Sequence, residues 1–377
     1  MRNFIFLLLL GQVFLPTLAA ERVTVEKLEK MLKAAHKKPD ARVAKELSDL
    51  ELTERLSAAK LSRWEADLPG PESRRSLVML ADASAFFDPP AAEILAAPPP
   101  DLAAQRQIVS LTVDYATRTI HRLPNFYATE DTIHFEDSPP RQNDSGHSVD
   151  GSFIPYAPLH PVSRSSDLVF YRDGQEFLDS EASRPKKAGQ SPGLSTSGAF
   201  GAIIGTTLVD ASRGNLVWGY WEQGAKGPVA TFRFSVPRQN SHYHVEFCCI
   251  AATGESSLFH QFSAYHGEIT VDPANGTILR LVIIADLSKS DPVVKSEILV
   301  EYGPVQIGGE TYFCPTRSVA ISSAPAQSLK AVQMQRMRSM MVEQENAETR
   351  PPLQTMLNEV AFRQYHLFRA EARILDR

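Results

Sequence analysis

The stretch SHYHVEFCCI, residues 241 to 250, brings two histidines, a glutamate and two adjacent cysteines into ten positions. An extended backbone sends alternate side chains to opposite sides, so His242, His244, Glu246 and Cys248 share one side while Tyr243, Val245, Phe247 and Cys249 share the other. Imidazole, carboxylate and thiolate are all zinc ligands. Convergence on one ion at roughly 2.0–2.1 Å requires a contribution from across a sheet. The next extended run, LFHQFSAYHGEI, follows a short loop and can bring His260 or His266 opposite the row. The candidate metal set is therefore His242, His244 and His266. A second chemistry is a disulfide between Cys314 and either Cys248 or Cys249, the three cysteines of the chain. A third reading is a half-buried strand with a polar outer side. We rank the strand first, the bridge second and the metal third.

Other reactive arrangements are sparse. GLSTSG lacks the G-x-S-x-G spacing of a nucleophile elbow, and Ser145-Gly146-His147 sits in a polar stretch without an acid nearby in sequence. No carboxylate pair stands at a spacing that would place both on one glycosidic bond. Glycine-rich phosphate loops are absent, so no catalytic residue is assigned and no cofactor is expected. Two features suit binding instead. NLVWGYWEQ gathers Trp218, Tyr220 and Trp221, and the neighbouring TFRFSV adds Phe232 and Phe234 on one face. The segment AVQMQRMRSMMVEQ places Met334, Met337 and Met341 at helical spacing, a pliable stripe that can close over an acyl cavity. The corresponding bland readings are an aromatic sheet core and a linker between strands.

The elements that would position these groups change character along the chain. The opening MRNFIFLLLLGQVFLPTLAA has a basic start, an apolar run and small residues before Glu21, which predicts a signal peptide over 1–20 and an exported, periplasmic or extracellular protein. Apolar residues then recur with a helical period (Val25, Leu28, Leu32; Val43, Leu47, Leu50; Ile108, Leu111, Tyr115), predicting a helical domain over 21–123. Thr24, Asp40, Thr53 and Asp101 are candidate caps, Pro71 suits a first helical turn, and Glu26–Lys30 and Glu29–Lys33 are favourable pairs.

From residue 124 the period becomes two, over a domain predicted to span 124–377. It carries a long loop at 138–163 and a Met-rich insertion at 326–355. Hairpin signals stand at Asp173-Gly174, Asn275-Gly276 and Gly308-Gly309. The run Ile278–Ala285 is apolar on both faces apart from Arg280, so it must be covered twice. One helix, with Ser197 as its cap, interrupts the strands, and LNEVAFRQYHLFRAEARIL closes them. The fold class is α+β: an N-terminal helical domain followed by a strongly curved antiparallel sheet, a half-barrel or open barrel. Apolar residues make up 43% and charged residues 22% of the chain, and the net charge of −5 has no basic run behind it, which argues against nucleic acid. The apolar run near the start is too short for a comfortable membrane span and is followed at once by Glu21 and Arg22, which argues against an integral membrane protein.

The pieces LTERLS, WEQG, EYGPVQIGG and CPTRSV resemble a family of secreted bacterial proteins of unknown function, a resemblance that supplies no activity. The hairpin YRDGQEF and the turn DPANGTILRL resemble elements of the outer-membrane lipoprotein carriers of the LolA, LolB and LppX type. That second resemblance implies a curved sheet holding acyl chains beneath helices. The expected function is an exported, non-catalytic envelope protein that binds a lipid-like or apolar ligand. The alternatives are a module docking another envelope protein through its helical domain and, third, a hydrolase dependent on His242 or His244.

Overall fold

A computed structural model describes residues 20–35, 37–138, 141–142, 153–154, 157–178, 193–194, 198–250, 257–289, 291–325 and 353–368. The leader up to residue 19, the Ser197 cap and the methionine stripe of Met334, Met337 and Met341 lie outside these residues. Among the described residues no helix is long and apolar enough to cross a membrane.

The chain begins with β1 (Glu21–Val23), α1 (Val25–Ala35), α2 (Asp40–Ser48), β2 (Leu50–Leu52), α3 (Ala58–Asp67) and α4 (Pro71–Ala83). Strands β1 and β2 pair in parallel. The helical period holds for Val25, Leu28, Leu32, Val43 and Leu47, which join Trp64, Leu77 and Leu80 in one core; Leu50, read in the same period, shares that core but lies in β2, because α2 ends at Ser48. Pro71 opens α4, and Glu26–Lys30 and Glu29–Lys33 pair on the solvent side. Asp40 differs from its predicted role. It is the first residue of α2 and accepts hydrogen bonds from the Glu72 and Ser73 amides, capping α4 instead of its own helix. A cap need only reach free N–H groups, and Asp40 reaches those of α4.

Helix α5 (Leu102–Arg122), capped by Asp101 on the Ala104 amide, packs with the sheet core and not with α1–α4. The strands follow: β3 (Phe126–Ser138), β4 (Arg141–Gln142), β5 (Phe153–Ile154), β6 (Ala157–Arg172), β7 (Gln175–Leu178), β8 (Gly193–Leu194), then α6 (Ala202–Arg213), β9 (Asn215–Gly224), β10 (Gly227–Val236), β11 (His244–Ile250), β12 (Ser257–Phe262), β13 (Ala264–Val271), β14 (Ile278–Asp286), β15 (Lys295–Ile307), β16 (Glu310–Pro325) and β17 (Leu353–Leu367). Ten of them form one antiparallel sheet in the order β7-β6-β3-β17-β16-β15-β14-β13-β10-β9; β12-β11-β8 form a small second sheet. The last strand of the chain is thus an inner one. It pairs with β3 on one side and β16 on the other.

The predicted turns stand where the sequence places them. Asp173 and Gly174 both have positive φ, as do Gly308 and Gly309, the geometry of tight two-residue hairpins. Gly276 (φ +76°) also packs against α5, where a Cβ would come within 2.3 Å of the Leu111 carbonyl carbon. The stretch 138–163, read from sequence as a loop, gives residues 157–163 to β6, with Pro161 opposite Phe135 at a register shift. An irregular ladder is where a strand tolerates a residue with no N–H. Helix α6 begins after Gly201.

Both faces of the sheet are covered, as the doubly apolar β14 requires. Leu281, Ile283, Ile298, Val300 and Val360 point to a first face covered by α5, α6 and the small sheet. Val282, Leu299, Val319, Ile321 and Leu357 point to a second face, where Met79, Ala85 and Phe86 pack. The α+β class holds, but the sheet is neither closed nor strongly curled. The expectation of strong curvature assumed that the sheet must bury its apolar face against itself. Here helices cover it on either side.

The second face also carries charges. Arg55, 4% exposed, meets Glu222 at 2.9 Å and Glu268 at 3.6 Å, while Arg280 forms a fork on Glu222 at 3.3 and 2.9 Å. Burial alone would raise the Glu222 pKa; the guanidinium groups of Arg280 and Arg55 outweigh it and hold the carboxyl below its usual range. Arg280→Met strands that buried carboxylate with one partner and is expected to lower unfolding free energy by ~3–5 kcal/mol in urea titration, whereas a loss below ~1 kcal/mol would show the network to be incidental.

Candidate functional site

Helix α6 carries an acid near its C-terminal end. Asp210 is fully buried, and three donors converge on it: the His242 amide at 2.8 Å, His242 Nδ1 at 2.5 Å and the Tyr265 hydroxyl at 2.9 Å. The sheet supplies Tyr265 from β13, and the residues just before β11 supply His242. A buried carboxylate without such partners would cost several kcal/mol (~3–5), so these contacts fix how α6 sits on the sheet. The His242 side chain is 60% exposed, and with Nδ1 engaged its ring is oriented towards the adjoining cleft.

That cleft, about 420 Å³, opens between α6, β7, β8 and β11. Phe200, Ile203, Tyr243 and Ile298 supply apolar lining; Gln175, Glu176, Thr206, His242, His244 and Glu246 supply polar groups. Glu176 accepts backbone hydrogen bonds from Gly198 and Phe200 in the turn leading into α6. Burial raises the pKa of Glu176 despite those amides. Glu130 on β3, opposite Phe362 of the same core face, is pushed up to about 7 by burial and by the charges of Glu176 and Asp167. Near neutrality this group is therefore protonated in about half of the molecules. A second cavity, about 400 Å³, lies between the sheet's second face and the N-terminal helices, lined among others by Arg55, Phe86, Asp88, Arg233, His266 and Glu268.

The candidate histidines separate. β11 starts at His244, so His242 lies before the strand and turns to Asp210. His266 belongs to β13 in the large sheet and pairs with Asp286 at 2.8 Å. The set His242, His244 and His266 is therefore not assembled. What does converge is His244, Glu246 and His260, with all three ligand atoms within 4.8 Å of one another. The bridge to Cys314 is likewise corrected. Cys314 is a free thiol buried in the large sheet, with its pKa pushed up to about 12 by burial, and among the described residues no cysteine pair stands at disulfide distance. Cys248 and Cys249 are on β11 of the other sheet.

The aromatic candidates occupy the sheet core. Phe232 and Phe234 are buried, and Trp218 packs edge-on against Trp221 (4.8 Å between centroids) and Phe232 (5.4 Å). Trp221 donates from its indole to the Pro98 carbonyl. A register shift opposite Thr231 and Phe232 adds a residue at Gly219, where a Cβ would meet the Thr231 carbonyl at 2.8 Å. The extra residue puts Trp218 and Trp221 on one face and sends Tyr220 to the other, where its hydroxyl donates to Glu268. None of these five rings lines the cleft beside α6, although Phe234 lines the second cavity.

Sequence reasoning missed Asp210, Glu176 and Glu130. Asp210 and Glu176 are lone acids in an ordinary helix and strand and Glu130 is one of four acids on β3, so only tertiary neighbours distinguish them. Because Glu130 titrates higher when folded, the folded state takes up a proton that the unfolded chain has released, and stability falls as pH rises from about 4.5 towards about 7. Glu130→Gln is expected to raise the urea midpoint at about pH 8 while leaving it unchanged at about pH 4, where both states are protonated; an equal shift at both pH values would contradict this assignment.

No family model, no curated protein and no solved structure matches the chain.

Proposed function

We propose that this chain is an exported, non-catalytic envelope protein that holds a small amphipathic or lipid-like ligand in the cleft beside α6. The observation that carries the reading is the cleft itself. Its volume of about 420 Å³ falls within the range typical of small-molecule sites, roughly 300–1,000 Å³, and it combines apolar lining with a few directed polar groups. Phe200, Ile203 and Ile298 suit an acyl or other apolar portion, and Gln175, Thr206 and His242 suit a polar head. The leader-like opening supports export. The turn motifs that resemble those of lipoprotein carriers support a sheet that takes apolar cargo under helices; in this chain that role would fall to the margin between α6 and the small sheet, without a half-barrel.

The test is native mass spectrometry of the exported protein before and after denaturation. A bound mass that extracts into organic solvent is expected, and Ala202→Trp, at an exposed position of α6 that lines the cleft, is expected to abolish it with little effect on the unfolding midpoint. Unchanged retention of the mass in that variant, or its absence from the parent protein, would refute the reading.

A second reading, hydrolysis at the same cleft, is favoured by the Asp210–His242 pair. A buried acid orienting an exposed imidazole is the base-and-orienter arrangement of nucleophilic catalysis. Under this reading Asp210→Asn lowers turnover of small aryl esters by about a hundredfold or more at unchanged KM, while equal turnover in parent and variant would eliminate it.

A further inference from the structure

β11 is amphipathic and pairs with β12. Val245 and Phe247 are buried towards the core, so His244 and Glu246 face outwards from the same strand. The antiparallel register sets Glu246 directly opposite His260 and His244 opposite Phe262. Directly opposed residues have Cβ atoms only about 4.5–5.5 Å apart, so the pairing itself brings the third ligand to the first two.

We infer that His244, Glu246 and His260 form a binding site for a divalent transition-metal ion, a property beyond the ligand-holding role proposed above. His244 Nε2 lies 3.2 Å and His260 Nε2 3.8 Å from the same carboxylate oxygen, Glu246 Oε1. Ligands at about 2.0–2.1 Å in a tetrahedral zinc site are about 3.3–3.4 Å from each other, so these separations already approximate two edges of that tetrahedron. The third, between the imidazoles, is at most 4.8 Å and closes by rotation of half-exposed rings. The rings lie 4.5 Å apart at their centroids, and Phe262 packs edge-on against both. This limits the rotamers available to them.

Two imidazoles and a carboxylate suit zinc or copper and disfavour calcium or magnesium, which take oxygen ligands. Three protein ligands leave a further coordination position for water or a ligand group. His244 and Glu246 also line the cleft, so that position would lie at its mouth.

The experiment is calorimetric titration of the tag-free, chelator-stripped full chain with Zn2+. One equivalent is expected to bind, and His244→Ala and His260→Ala should each weaken it by at least about tenfold without moving the melting midpoint of the metal-free protein. His266→Ala, which removes an imidazole of similar exposure elsewhere, and a Cys248→Ser, Cys249→Ser double variant should leave it intact. Ala202→Trp should also retain zinc, so loss of the cleft ligand and loss of the metal are separate results. Absence of binding, affinity unchanged in both histidine variants, or loss of binding in the cysteine variant would each overturn the assignment.

Discussion

Charge placed on the inside of the second sheet face is the constraint around which the layers are arranged. Glu222 and Glu268 extend from β9 and β13, Arg280 from β14, and the closing cation, Arg55, comes from the segment before α3. A carboxylate shielded from water is tolerated only with its counter-charges in place. The N-terminal helices must therefore sit where Arg55 reaches Glu222. Apolar packing of Met79 and Phe86 on Val282 and Leu299 adds favourable but non-directional burial. Directed ion pairs fix the position; apolar area supplies the drive. Arg317 on β16 meets Asp82 of α4 on the same face, a second fixed point between the layers.

The same logic operates on the first face with one helix. Asp210 is buried, and its hydrogen bonds reach β13 through Tyr265 and the start of β11 through His242. α6, the large sheet and the small sheet therefore share one polar junction. The cleft lies along α6, lined by core side chains such as Phe200 and Ile298 and by polar groups, of which His242 is held by the junction and Glu176 by the Gly198 and Phe200 amides. A polar contact that serves structure here also presents an imidazole to solvent, since His242 is held by Asp210 yet remains 60% exposed.

Much of the local structure was legible in the sequence. The helical spacing, Pro71 at the start of α4, the glycine-bearing turns and the doubly apolar β14 each follow from forces acting within a few residues. The candidate sites were less legible, because a side chain's chemistry depends on what lies opposite. His244 and Glu246 were visible as ligand types, but His260 was one of two possible partners and His242 was counted with them wrongly. The start of β11 separates them. Likewise the WGYW run read as one aromatic group until the bulge at Gly219 divided it between two faces. A single inserted residue reverses the pleat, and nothing in the composition of the run marks where it falls.

By itself, the sequence determined most of the segments that coil or extend and where the chain reverses, since these depend on φ and ψ preferences and on short-range periodicity; Leu50 in β2 and residues 157–163 in β6 are the exceptions. Tertiary structure alone decided the rest. The closing segment becomes an inner strand between β3 and β16, the sheet stays open because helices cover both its faces, Cys314 remains a buried thiol, and His260 meets Glu246. Each of these outcomes turns on partners tens to hundreds of residues apart, selected by how burial and counter-charge are satisfied together over the whole chain.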